Sequence, residues 1–179
     1  MNMWRDLPSG PDPPKQVYAI VEVASGGTNK YEYDIELGVF RLDRVLYSAI
    51  FYPGDYGIIP RTWYIDNDPL DILVITTRPT FTGCVLAARP IGALTMEDEK
   101  GEDDKILAVP IGDPRFREVS EVDDLAHHLK AEITDFFVSY KHLEPSKWVK
   151  VKRWRDAKAA ETMIASAIKM YRDQFRTHK

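Results

Sequence analysis

The stretch CVLAARPIGALTME, residues 84–97, decides the fold. It is a long apolar run with Pro90 and Gly92 inside it. Proline has no N–H to give a strand ladder, and glycine brings no side chain to pack. A strand carrying both is expected to bend or bulge there, as strands do where they wrap a barrel corner. Towards the N-terminus, DILVITT (71–77) reads as a buried strand. VFRLDRV (39–45) and KYEYDI (30–35) alternate polar and apolar residues, SGGTN (25–29) reads as a turn, and QVYAIVEV (16–23) is an apolar, β-branched run. Towards the C-terminus, KILAVPI (105–111) is one more strand. The segment FYPGDYG (51–57) reads as turn-rich, and residues 1–15, rich in Pro, Gly and Asp, as an extended N-terminal arm.

Beyond residue 110 the period changes. Apolar residues at 122, 125, 126, 129, 133, 136, 137 and 140 have helical spacing, with Ser120 or Asp123 placed to cap the start. A second helix is predicted from about Asp156 to Phe175, with Ala157, Ala160, Ile164, Ala167, Ile168, Tyr171 and Phe175 as its apolar set. Strands first and helices last is an α+β order, mainly β. It favours a small antiparallel barrel flanked by two C-terminal helices.

The 179 residues suffice for a single domain, 1–179, that folds without disulfide or metal. The balance of 28 acids against 24 bases, net −4, argues against nucleic acid as the main partner. One cysteine, Cys84, excludes an internal disulfide framework and agrees with a reducing, cytoplasmic location. The N-terminus has no apolar signal region, and no apolar run approaches the ~20 residues of a membrane span. His127, His128, His142 and His178 form no zinc motif and are expected at the surface.

Two acidic loops stand out. In DNDPLD (66–71), three carboxylates surround a proline just ahead of a buried strand. Such a cluster raises its own pKa values unless it is solvated or neutralised by a cation. A solvated turn and a site for a hard, oxygen-seeking cation such as Mg²⁺ are both compatible with these six residues. An EF-hand is not, because its sixth position would be Asp71 and its twelfth Thr77. The second loop, EDEKGEDDK (97–105), holds six acids in nine residues between two strands. If both loops meet at one end of a barrel, they form a pocket for two or more divalent ions. Lys30 and Glu32 share a strand face, Glu22 lies on the strand before, and Arg44 ends the strand after. Tyr52, Tyr56 and the pair Tyr140-Lys141 add phenols and a further base.

Together these segments resemble the soluble family I inorganic pyrophosphatases of the prokaryotic type. The resemblance rests on DNDPLD (66–71), KYEYD (30–34), DR (43–44), FYPGDYGIIP (51–60), MEDEKGEDDK (96–105) and FFVSYKHLEPSKWVKV (136–151), and it runs from about Leu7 to the second helix. It implies a distorted five-stranded barrel of OB type, usually assembled as a homohexamer. It implies hydrolysis of pyrophosphate to two phosphates by a multi-Mg²⁺ mechanism, with Mn²⁺ a possible substitute, in which a metal-bridging water attacks without a covalent intermediate. Carried over by position, Asp66, Asp71 and Asp103 resemble ligands of the activating ions. Asp98, with Asp103, resembles a ligand of the ions that arrive with substrate. Glu22 and Glu32 would order metal-bound waters, and Asp68 resembles the general base. Lys30, Arg44, Tyr56, Lys105, Tyr140 and Lys141 match phosphate-contacting positions, and Tyr52 a further site tyrosine.

OB-type barrels also bind single-stranded nucleic acid. The segment KWVKVKRWR (147–155), with five bases and two tryptophans, carries that alternative reading. Its other reading is a strand with one apolar and one solvated face between the two helices. Acidic loops at the barrel end would repel phosphodiesters.

Overall fold

The structure, a computed structural model, describes residues 1–175. Residues 176–179, including His178, lie outside the described part. The described residues form nine strands and three α-helices: α1 (Met3–Asp6), β1 (Val17–Val23), β2 (Asn29–Asp34), β3 (Val39–Val45), β4 (Asp55–Ile58), β5 (Asp71–Val74), β6 (Val85–Asp98), β7 (Gly101–Glu102), β8 (Lys105–Pro110), α2 (His127–Ser139), β9 (Val149–Asp156) and α3 (Ala157–Gln174).

Strand β6 organises the sheet. Its first residues pair with β1 (Val17↔Ala88 to Ile20↔Val85), its middle with β8 (Ala88↔Pro110 to Leu94↔Lys105) and its end with β9 (Gly92↔Asp156 to Asp98↔Val149). The change of partner occurs at the expected irregularity, where Ile91 is an extra residue between Pro90 and Gly92 in the ladder to β8. Gly92 is required there because a Cβ would sit 2.5 Å from the Arg155 carbonyl oxygen of β9. Strands β1, β4, β5, β8 and β6 thereby close on one another in an uneven ring of five, the form taken by the expected barrel. Strands β2 and β3 form a separate hairpin, and β9 extends the sheet from β6.

Strand β4 corrects the turn reading of residues 51–57. Its sequence, DYGI, lacks the usual strand composition because Gly57 lies where a Cβ would be 1.9 Å from the Ile20 carbonyl oxygen of β1. Glycine serves close backbone approach here, not a turn.

Helix α2 packs Ile133, Phe136 and Phe137 into the cluster that contains Val23, Leu73, Leu94 and Met96. Helix α3 packs Ala160, Ile164, Ala167 and Ile168 against Val17, Ile72, Ala93 and Ile106. The first helix begins later than its apolar pattern implied. Residues 122–124 form a separate 3₁₀ turn in which Asp124 Oδ2 accepts from the backbone N–H of Ser120 and of Glu121 (both 2.8 Å). Neither Ser120 nor Asp123 caps α2; its N-cap is Ala126, which makes no side-chain bond. The expected arm at residues 1–15 contains α1, whose Trp4 is 1% exposed and stacks edge-on against Tyr171 and Phe175. A single large aromatic ring ties this Pro-rich segment to the core. No described helix is long and apolar enough to cross a membrane.

Candidate active site

The 64–71 loop is shaped by its own backbone bonds. Tyr64 N–H donates to the Asp68 carbonyl (2.9 Å), and Asn67 N–H donates to the Tyr64 carbonyl (3.1 Å). Asn67 takes a left-handed conformation (φ 63°), which asparagine tolerates better than most residues. Asp66 Oδ1 accepts from Asp68 N–H at 3.2 Å, so the three acids are held in a tight turn. Buried Thr62 anchors the exit by accepting from Leu70 N–H at 3.0 Å. Asp71 then opens β5.

The second acidic loop is the β6–β7 hairpin and the corner before β8. Parallel pairing of β5 with β8 sets Asp71 beside Lys105 in register. The Lys105 ammonium bonds both Asp71 and Asp103, a buried cation shared by two carboxylates from different loops. Asp98 Oδ2 accepts from Lys141 Nζ at 2.7 Å, and Glu99 is paired with Lys147. Tyr140 and Lys141 are delivered by the end of α2.

Glu22 reaches the same cleft through a β-bulge. It is the extra residue of β1 between Val21↔Gly57 and Val23↔Tyr56, and this re-aims its side chain. It is 5% exposed and accepts from Tyr33 N–H at 2.7 Å. From the β2–β3 hairpin come Lys30, bonded to Glu32 and 3.5 Å from Asp43, and its ladder partner Arg44. Arg44 Nε donates to Glu144 Oε1 at 2.9 Å.

Thirteen of the fourteen residues singled out from the sequence line one cleft of about 230 Å³. Tyr52 does not. It is 1% exposed, with its ring 5.2 Å from Tyr56 and 4.7 Å from Phe136, so it backs Tyr56 instead of facing the cleft. Lys100, Glu99, Glu102, Lys147 and Tyr33 also line the cleft and were not selected. Glu144 was missed for a different reason. Its partner Arg44 is 100 residues away, and nothing local announces the pair.

The electrostatics are those of crowded, half-buried acids. Burial, then the charge of Asp71, pushes Asp66 up to about 6. Burial likewise pushes Glu22 up to about 8, against its bond from Tyr33, and raises Asp68, with Asp71 adding to the effect. At Asp98 burial is outweighed by Lys141 and the Lys100 N–H, which hold the carboxyl below its usual range. Burial opposes the charge on Lys105, but Asp103 and Asp71 outweigh it and raise its pKa. Burial raises the Tyr56 and Tyr140 phenols, so they stay neutral donors.

The donor set is entirely oxygen, which suits a hard divalent cation that keeps several waters and takes one or two carboxylates. Among the described residues no three acids converge tightly enough to form a closed cage, and Lys105 balances Asp71 and Asp103. The fit is to a partly hydrated ion. A pH dependence follows. Asp66 and Glu22 have folded-state pKa values above their unfolded ones, so the folded state binds the extra protons. Stability in EDTA is therefore expected to fall as pH rises from about 4 to about 8, through the windows of these two groups. Excess Mg²⁺ should flatten the slope, and thermal melts at stepped pH with and without the ion check both statements.

Residues 19–172 match the family described as "Inorganic pyrophosphatase". The chain is 49% identical to the inorganic pyrophosphatase of Halobacterium salinarum over 174 residues, covering 97% of this chain and 98% of that protein. It is 44% identical to that of Haloferax volcanii over 175 residues, covering 98% and 99%. The crystal structure of inorganic pyrophosphatase from Thermus thermophilus superposes with a TM-score of 0.93 at 46% identity, covering 96% of this chain and 99% of that one.

Proposed function

The chain belongs to the inorganic pyrophosphatase family, so its reaction is hydrolysis of pyrophosphate to two phosphates, and we propose that the cleft between the acidic loops performs it. The observation that carries this is the meeting of two acidic loops, six bases and three tyrosines in one cleft. A polyanion needs cations and uncharged donors around it, and it needs acids only where further cations must be held.

The family depends on divalent cations. Mg²⁺, with Mn²⁺ a possible substitute, is the ion we assign. Held by Asp66, Asp71 and Asp103, and by Asp98 for ions accompanying substrate, it would polarise the attacking water and screen the substrate charge. Glu22 and Glu32 order water around that region. Asp68 takes the proton of the attacking water. Burial and Asp71 make it more basic than an exposed carboxylate, and no side chain donates to it among the described residues. The water oxygen attacks one phosphorus, the bridging P–O bond breaks, and the second phosphate leaves. Lys30, Arg44, Lys105 and Lys141 meet the charge that grows on the leaving oxygens. Tyr56 and Tyr140 donate hydrogen bonds without adding charge, which eases product release.

A homo-oligomer, specifically a hexamer, is the assembly state, and the cytoplasm the location, that the family resemblance favours. The nucleic-acid reading is not favoured. Val151 and Trp154 pack on the core, Lys152 pairs with Glu97 at 3.0 Å, and Lys147 pairs with Glu99. The basic stretch thus pairs with the chain's own acidic hairpin. A phosphate-release assay on pyrophosphate tests the proposal. Release with Mg²⁺ and its loss in EDTA are expected, whereas folded protein with bound Mg²⁺ and no release would overturn it.

A further inference from the structure

The two acidic loops are also joined behind the cleft, by residues with no assigned role. The Tyr64 hydroxyl donates to Asp104 Oδ2 at 3.0 Å. Asp104 is 6% exposed; its other oxygen, Oδ1, is buried outside hydrogen-bond geometry, with the buried Thr95 hydroxyl near enough to lower the carboxyl's pKa against the rise from burial. Burying an acid beside Asp103 and near Glu102 works against folding. A buried group of that kind calls for an explanation.

Tyr64 is suited to act as a fixed post. Its ring packs against the core cluster under α3. Its backbone N–H and carbonyl close the turn that carries Asp66 and Asp68. Asp104 lies between Asp103 and Lys105, at the corner where β8 begins. Asp103 N–H, donating to the Met96 carbonyl at 3.1 Å, ties that corner to β6. The bond therefore spans from the turn holding Asp66 to the residue next to Asp103. Carboxylates gathered for a cation repel one another until it binds, and two loops bearing them tend to separate. A hydroxyl–carboxylate bond at their base opposes that separation.

We propose that Tyr64 and Asp104 are positioning residues whose hydrogen bond holds the turn bearing Asp66 to the corner bearing Asp103 before a divalent cation arrives. The inference rests on the reading of those two acids as cation ligands. Groups that orient ligands from behind raise affinity by reducing the ordering needed on binding.

Two substitutions separate this role from a simple charge effect. Tyr64→Phe removes the donor and keeps every charge. Asp104→Asn keeps an acceptor for Tyr64 and removes a charge. Mg²⁺ is titrated calorimetrically into each folded variant without pyrophosphate. Tyr64→Phe is expected to weaken binding roughly tenfold. Asp104→Asn should stay close to wild type, and Asp104→Ala, which loses the acceptor too, should resemble Tyr64→Phe. Wild-type affinity in Tyr64→Phe would overturn the proposal. So would a loss in Asp104→Asn as large as in Tyr64→Phe, because charge alone would then account for it. Wild-type protein that binds no Mg²⁺ would instead overturn the reading of the ligands themselves.

Discussion

Asp68→Asn is expected to lower kcat for pyrophosphate by about 10²–10⁴-fold, the range for losing a positioned general base. Asparagine has nearly the same shape but cannot take a proton. The backbone of residue 68 closes the turn through its carbonyl, and that bond survives the change. The side chain receives no hydrogen bond from the protein among the described residues, so Tm and Mg²⁺ affinity should change little. The loss should therefore fall on kcat with KM nearly constant. The acidic limb of the pH–rate profile should disappear with it, because burial and Asp71 raise the Asp68 pKa and make it a candidate for that limb. A variant retaining most of the wild-type kcat would show that the proton goes to another acceptor.

Lys105→Met should have the largest effect on stability. Lys105 is 4% exposed, and its ammonium serves Asp71 and Asp103 together. Removing it leaves two partly buried carboxylates facing each other without a counter-charge. Breaking a buried pair of this kind costs about 3–5 kcal/mol. A large drop in Tm is expected in EDTA at neutral pH. Excess Mg²⁺ should restore part of it, because a ligand of the folded state stabilises it by mass action. Activity should stay at least about 10²-fold down even with saturating Mg²⁺, since a charge aimed at the phosphate oxygens is missing. Thermal melts in EDTA and in Mg²⁺, read beside the phosphate assay, separate the two roles. A Tm equal to wild type in EDTA would show that Lys105 does not neutralise the pair.

Much of this was visible in one dimension. The bounds of VFRLDRV match β3, though its apolar Val39, Leu42 and Val45 are exposed, and within the apolar spacing of residues 157–175 lies the buried face of α3. The bend at Pro90 and Gly92 was legible because backbone chemistry at those residues forbids a regular ladder. Both acidic loops were legible because composition alone places like charges together. Tyr52 and Tyr56 have similar sequence neighbourhoods, and only packing decides that the Tyr56 ring lines the cleft. Trp4 misled because one buried aromatic leaves no period in a segment dominated by Pro, Gly and Asp.

Local chemistry, then, specified most strands, the two C-terminal helices, the kink that closes the ring and the acid-rich composition of the cleft. Periodicity and backbone constraints act over a few residues, and a sequence displays them directly. Tertiary structure alone decided that Asp71 lies in register with Lys105, that a bulge turns Glu22 inward, that Arg44 meets Glu144 and that Tyr64 ties one acidic loop to the other. Each of these depends on strand register and ring closure, and so on the sum of packing across the whole chain.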